Sequence, residues 1–409
     1  MRLLRALIVL STFVTLTSCS DDNTSTADTN ETPASTTTPV TAPATTTAAA
    51  TTTTVSLADL TSAYADAGPH PVGVTTLALP AGNAVEVWYP AVEGTTGTET
   101  YDVRDFTPEA IKALLTADVP ATYSYDAGRD ADMADGTYPI VLFSHGFTGM
   151  RLQSSFLTSH LASWGMIVLS TDHPSRDLIN VLGGTATGTR ADSVNELLGL
   201  IDLIVAEGDT PTSRFAGHVD AEHIAAVGHS AGGGTVLGAA DDVRVDGYVS
   251  LASGALGGGG ADPAATTTVP TLPAKPSFFL AGSVDAVVPA ATVTKPSFEA
   301  APAPSLLWVI EGVGHNGFDD FCTLGGGTGI IGVAEASGLG AFLDGQPQFR
   351  KLGEDGCIPP AVAVDTTFPI INHAVTAWLR NLFGVDSDPV GLGPEVAGEY
   401  VATIEIESK

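Results

Sequence analysis

The heptapeptide Val227-Gly228-His229-Ser230-Ala231-Gly232-Gly233 constrains the fold of this chain more than any other stretch. It reads G-x-S-x-G, ends the apolar run Ile224-Ala225-Ala226-Val227, and opens onto the small-residue stretch Gly234-Thr235-Val236-Leu237-Gly238-Ala239-Ala240. Strand, tight turn and helix in that order force a serine onto a strained corner with its hydroxyl exposed. Small residues on either side let strand and helix come close enough for the corner to form.

The surrounding sequence repeats this strand-then-helix grammar. Residues 74–79 and 84–89 read as short strands around the turn Pro80-Ala81-Gly82-Asn83, an opening hairpin. Residues 94–136 read as polar and irregular. Tyr138-Pro139-Ile140-Val141-Leu142-Phe143 is a continuous apolar strand, followed by a helix over 153–164 and a strand over 166–170. Apolar residues at 194, 197, 198, 201, 204 and 205 form one face of a helix over 189–206. After the serine corner come strands over 247–251, 277–281 and 305–310, then an amphipathic helix over 367–383. Apolar strands separated by helices predict an α/β fold, a mostly parallel central sheet with helices on both faces.

The N-terminal part reads differently. Met1-Arg2-Leu3-Leu4-Arg5 is basic, and residues 6–16 form an apolar run too short for a permanent membrane span. It ends in Leu16-Thr17-Ser18-Cys19, which resembles the lipobox of bacterial lipoproteins, so residues 1–19 are read as a leader and Cys19 as the site of lipidation. Residues 20–56, rich in Thr, Ala, Ser and Pro, cannot bury enough surface to offset the entropy of ordering and read as a tether. The expectation is an exported protein, either a cell-surface lipoprotein or secreted, that meets the membrane only through its N-terminal anchor. Residues 57–409 then form one domain, long but acceptable for an α/β fold with insertions.

Acidic residues number 46 against 16 Lys and Arg, a formal net charge of −30. Removing Arg2 and Arg5 with the leader makes it more negative by two. So acidic a surface argues against nucleic acid and anionic membrane as partners. Of the three cysteines, Cys322 and Cys357 remain as an even pair in an oxidising compartment. A disulfide closing that loop would stabilise by roughly 3–4 kcal/mol on the chain-entropy model. Neither cysteine has a C-x-x-C partner, so no metal site is expected.

A serine hydroxyl is a poor nucleophile at neutral pH and needs a base, usually histidine, held by a carboxylate. In a parallel sheet these groups belong in loops at the carboxyl ends of strands. Asp285 lies just beyond Phe278-Phe279-Leu280-Ala281, and His315 just beyond Leu306-Leu307-Trp308-Val309-Ile310. The chain order Ser230, Asp285, His315 is that of the α/β-hydrolases. From about residue 70 to 384 the chain resembles that superfamily. Val85-Glu86-Val87-Trp88-Tyr89-Pro90 followed by Phe143-Ser144-His145-Gly146-Phe147 resembles the dienelactone-hydrolase-like esterases, and is similar to platelet-activating-factor acetylhydrolases and cutinase-like polyester hydrolases. The resemblance implies an α/β-hydrolase fold and hydrolysis of carboxylic esters with no cofactor or metal. The substrate would be a small-molecule, lipid or polymeric ester, and the protein a monomer.

Negative charge developing on a tetrahedral intermediate needs preorganised N–H donors, worth about 3–4 kcal/mol each. One is the backbone N–H of Ala231, directly after the serine. The other comes from the loop after the 138–143 strand. The resemblance implies Phe147, with 148–150 as alternatives, and its side chain would line the acyl pocket.

Competing residues have simpler readings. Asp241 and Asp242 mark a solvated helix end, and His373 lies within the terminal helix. His229 reads as packing and His145 as a brace for the oxyanion loop. Asp172 and His173 are candidates for the pocket mouth rather than for catalysis. Trp164 and Trp308 read as core. The Gly-rich stretch at 324–332 lacks the Gly-Lys-Ser/Thr ending of a phosphate loop. Residues 318–365, bounded by the two cysteines, read as an insertion or disulfide-pinned flap beside the active site. Three other functions fit the same residues less well: a non-catalytic binding lipoprotein on this fold, a phospholipid deacetylase of the platelet-activating-factor acetylhydrolase type, and a peptidase.

Overall fold

The computed structural model describes residues 61–256, 269–396 and 398–409. Cys19, the leader over 1–19 and the Thr-rich stretch 20–56 lie outside the described residues.

Strands β1 (Val72–Ala78) and β2 (Ala84–Pro90) form the expected antiparallel hairpin. The 94–136 segment departs from the irregular reading. It holds β3 (Thr98–Asp102), a one-turn helix α1 (Glu109–Lys112), β4 (Thr122–Asp126) and β5 (Gly128–Arg129). β3 and β4 pair antiparallel as a separate ribbon, while β5 adds to the sheet beside β1. The ribbon buries Tyr101 and Tyr125, and Trp88 Nε1 donates to the Tyr125 hydroxyl at 3.1 Å. Tyrosines alternating with Ser and Thr look polar in sequence, yet their rings bury like other aromatics.

The remaining strands are β6 (Tyr138–Ser144), β7 (Ile167–Thr171), β8 (Val219–His229), β9 (Gly247–Leu251), β10 (Ser277–Gly282), β11 (Ser305–Ile310) and β12 (Ile404–Ser408). The main sheet runs β12-β11-β10-β9-β8-β6-β7-β2-β1-β5. From β11 through β7 every neighbouring pair is parallel, and β12 closes one edge antiparallel to β11.

Six helices cover the sheet or cap its strand ends: α2 (Ser155–Ser163), α3 (Leu178–Gly183), α4 (Arg190–Asp209), α5 (Ala231–Ala239), α6 (Lys295–Ala300) and, after the segment below, α11 (Val364–Leu382). Alternate strand residues feed two opposite cores, as a period of two requires. Val141 and Phe143 pack with Leu157, Leu161, Ile371 and Leu379 of α2 and α11. Ile140 and Leu142 pack with Leu197, Ile201 and Val236 of α4 and α5. Burying each such Leu or Ile stabilises by roughly 1.5–3 kcal/mol. α4 shows its sequence logic directly. A capping box between Thr189 and Asp192 starts it, and Leu197, Leu200, Ile201 and Ile204 form its buried stripe. The described chain has the α/β-hydrolase fold.

The 318–365 segment is helical. It contains α7 (Leu324–Gly327), α8 (Gly329–Ala336), α9 (Gly340–Asp344) and α10 (Pro347–Glu354). Gly325, Gly326 and Gly327 in α7 and Gly329 at the start of α8 all take positive φ, which turns the chain there where other residues would be strained. A Cys322–Cys357 disulfide joins the two feet of this helical cap.

Candidate active site

β8 delivers Ser230 to the carboxyl edge of the sheet at φ 54 and ψ −119, directly before α5. A non-glycine residue there costs on the order of 1–3 kcal/mol, and the surroundings must hold it. They do so by close approach. A Cβ on Gly232 would collide with the Ser144 carbonyl, and one on Gly228 with the backbone of Gly232. The Ser230 N–H donates to the Leu251 carbonyl at 2.9 Å, tying the corner to β9.

His315 opens a short 3-10 turn (His315–Phe318) beyond β11, and Asp285 follows β10. His315 Nε2 lies 2.9 Å from Ser230 Oγ, and its Nδ1 lies 2.9 Å from Asp285 Oδ2. The other carboxylate oxygen of Asp285 accepts from the N–H groups of Val287 at 2.9 Å and Val288 at 2.6 Å, which fixes its rotamer. Burial pulls the His315 pKa down, but the charge and hydrogen bond of Asp285, helped by Asp355 and Asp319, leave it raised above 6.5. The three residues singled out in the sequence therefore meet at one point.

The loop after β6 is held donor by donor. The N–H of Gly146 goes to Gln153 Oε1 at 2.8 Å, that of Thr148 to the Arg176 carbonyl at 2.8 Å, and that of Gly149 to the Gly146 carbonyl at 3.2 Å. Phe147 and Ala231 have no such backbone bond among the described residues, and both flank Ser230. Thr148 and Gly149 are thereby engaged elsewhere, and Met150 is buried away from the pocket. The Phe147 ring is half-exposed and lines the pocket.

Two residues with no signal in the sequence hold this geometry. Gln153 Oε1 takes the Gly146 N–H, so Nε2 must face His229 Nδ1 at 2.7 Å and Asp319 Oδ2 at 2.9 Å. Burial holds His229 well below its usual pKa, so the neutral ring accepts at Nδ1 and donates from Nε2 to the His315 carbonyl at 3.1 Å. Burial also pushes Asp319 up to about 7. Gln153 thus links the Phe147 loop to the His315 loop. Asp355, at the foot of the cap, accepts from the His315 N–H and the Ala286 N–H, each at 2.8 Å, and clamps the two loops that carry His315 and Asp285. Gln153→Leu should remove the partner of the Gly146 N–H, of Asp319 Oδ2 and of His229 Nδ1, and lower kcat about a hundredfold with little change in KM. Steady-state kinetics would read this, and an unchanged kcat would deny Gln153 a positioning role.

The competing residues lie elsewhere. His373 is buried in α11, where Nδ1 accepts from the Tyr64 N–H at 3.3 Å and Nε2 lies 2.9 Å from the Gly391 carbonyl. Asp242 pairs with Arg244 at the end of α5. Asp172 and His173 do not line the pocket mouth. Asp172 pairs with Arg151, and His173 is enclosed behind β6, between Ser144 Oγ at 3.0 Å and Glu196 at 2.7 Å. His145 does brace the loop, with Nδ1 2.8 Å from the Gly146 carbonyl and Nε2 accepting from the His173 N–H at 3.0 Å. Trp308 is core, whereas Trp164 is only half-buried. Among the described residues no group of three or more His, Cys, Asp or Glu is placed to hold a metal ion.

A family model described as PET hydrolase-like matches residues 124–352, more than half of the 409 residues. The chain belongs to the PET hydrolase-like family. Its family makes it a carboxylic ester hydrolase. Among solved structures it is similar to a ferulic acid esterase from Streptomyces cinnamoneus, 18% identical with a TM-score of 0.55, covering 80% of this chain and 94% of that one. No curated protein matches the chain.

Proposed function

We propose that this family member cleaves esters through Ser230 as nucleophile, His315 as general base and acid, and Asp285 as the carboxylate that orients the imidazole. The observation that carries the reading is the unbroken chain from Ser230 Oγ through both His315 nitrogens to Asp285, with 2.9 Å at each link. Ser230 Oγ attacks the ester carbonyl as its proton passes to His315 Nε2. The imidazolium is stabilised by Asp285 and returns the proton to the leaving alkoxide, freeing the alcohol. Water, deprotonated by His315, then attacks the acyl-enzyme; the imidazolium returns that proton to Ser230 Oγ as the acyl–Oγ bond breaks, and the carboxylic acid leaves. The N–H groups of Ala231 and Phe147 form the oxyanion hole, a role favoured by their freedom from other acceptors among the described residues.

We also propose that the enzyme works outside the cell. The Cys322–Cys357 disulfide favours an oxidising compartment, and the leader and lipobox-like Cys19 favour export on a lipid anchor. Release of p-nitrophenol from the acetate and butyrate esters tests the hydrolytic reading. Steady turnover is expected, and no turnover on either ester would contradict it.

A further inference from the structure

The helical cap lines one side of the cleft at Ser230, with Ile331, Val333, Ala334, Leu339, Phe342 and Phe349. The opposite wall comes from Val103, Ile111 and Leu115 of the ribbon segment and from Leu178 and Leu182 of α3. The cleft, counted together with the open solvent at its mouth, spans about 1000 Å³. In a chain of net charge −30, no Asp, Glu, Lys or Arg among the described residues lines it.

The side-chain polar groups on its walls are few, and each makes a hydrogen bond within the protein. Thr107 Oγ1 donates to the Arg104 carbonyl at 2.8 Å, and Thr148 Oγ1 to the Phe147 carbonyl at 2.6 Å. Asn316 Nδ2 donates to the Leu352 carbonyl at 2.7 Å. Gln153 and His229 use their polar atoms on each other and on the two loops. Away from the reaction centre, a bound acyl group meets almost only carbon.

Resting on Ser230 as the nucleophile, we propose that the substrates are esters of uncharged aliphatic acids of medium length, with the acyl chain lying under the cap. A chain of roughly eight to twelve carbons displaces on the order of 300 Å³, the lower end of ordinary ligand pockets. A second ester or a carboxylate on the acyl side would lose its water and meet few donors, since the Thr107 and Thr148 hydroxyls already donate elsewhere. Aromatic polyester and hydroxycinnamoyl groups, which carry further polar atoms on the acyl side, therefore suit this apolar cleft less well than a plain alkyl chain does.

The test uses the full chain and p-nitrophenyl esters from acetate to palmitate, with p-nitrophenyl ferulate and bis(2-hydroxyethyl) terephthalate alongside. kcat/KM should rise about fourfold per methylene over the first additions, as each is buried. Ferulate and terephthalate should run at least tenfold below octanoate. Values that stay flat or fall from acetate to octanoate would overturn the proposal, as would ferulate or terephthalate turned over faster than octanoate. If no ester is cleaved, the nucleophile reading fails instead. Ala334→Trp, and independently Leu339→Trp should the first fail to fold, should cut the octanoate-to-acetate ratio at least tenfold. An unchanged ratio in a folded variant would remove the acyl chain from under the cap.

Discussion

Ser230→Ala is expected to lower kcat on p-nitrophenyl esters by about a million-fold, and His315→Ala by a similar factor. The double variant should lose little more than either single one, because both residues act in the same proton-coupled attack. Steady-state kinetics on the two single variants and the double would read this, and losses that multiplied would contradict a shared step. Some rate above that in water should survive in each, since the amides of Ala231 and Phe147 still meet the developing oxyanion.

The second large effect concerns Asp285. Asp285→Asn keeps the shape of the site but removes the charge facing His315 Nδ1, and is expected to lower kcat about ten-thousand-fold. The pH profile should move as well. His315 must be neutral to take the serine proton, so kcat/KM should fall on the acid side with a midpoint above 6.5, where the Asp285 charge and hydrogen bond hold it against burial. In the Asp285→Asn variant the burial remains and the leading opposing cause is gone. The acid limb of the residual activity should therefore shift to lower pH. An acid limb that stays in place would assign it to another group. His373→Ala should leave the limb where it is, since that ring is tied to Tyr64 and Gly391 rather than to Ser230.

What can be read from the sequence follows from where each signal resides. β6, β8, β9, β10 and β11 are buried on both faces, so they appear as continuous apolar runs with sharp ends. Ser230, Asp285 and His315 sit in the loops at those ends, and their order and spacing along the chain are enough to single them out. β12 gives no such run because Ile404 and Ile406 alternate with Glu405 and Glu407 at the sheet edge, where only one face is covered. The β3–β4 ribbon is hidden because its tyrosines count as polar in a pattern reading. The cap reads as a glycine-rich excursion, although Ile330, Val333 and Ala334 carry helical spacing just after the glycines that turn the chain. Gln153 and Asp355 have no local signal at all. Their partners lie far along the chain or depend on the exact aim of one amide, and only the assembled fold brings them together. His229 packs beside the nucleophile, and its hydrogen bond to the His315 carbonyl adds a positioning part that packing alone does not suggest.

Covalent trapping tests the central claim most directly. The full chain would be incubated with a p-nitrophenyl alkylphosphonate, which mimics the tetrahedral intermediate, then digested and sequenced by mass spectrometry. One stoichiometric adduct is expected on Ser230, in the peptide spanning Gly228 to Gly232, with ester turnover lost in proportion. An active enzyme that stays unlabelled, or that carries the adduct on another residue, would contradict it.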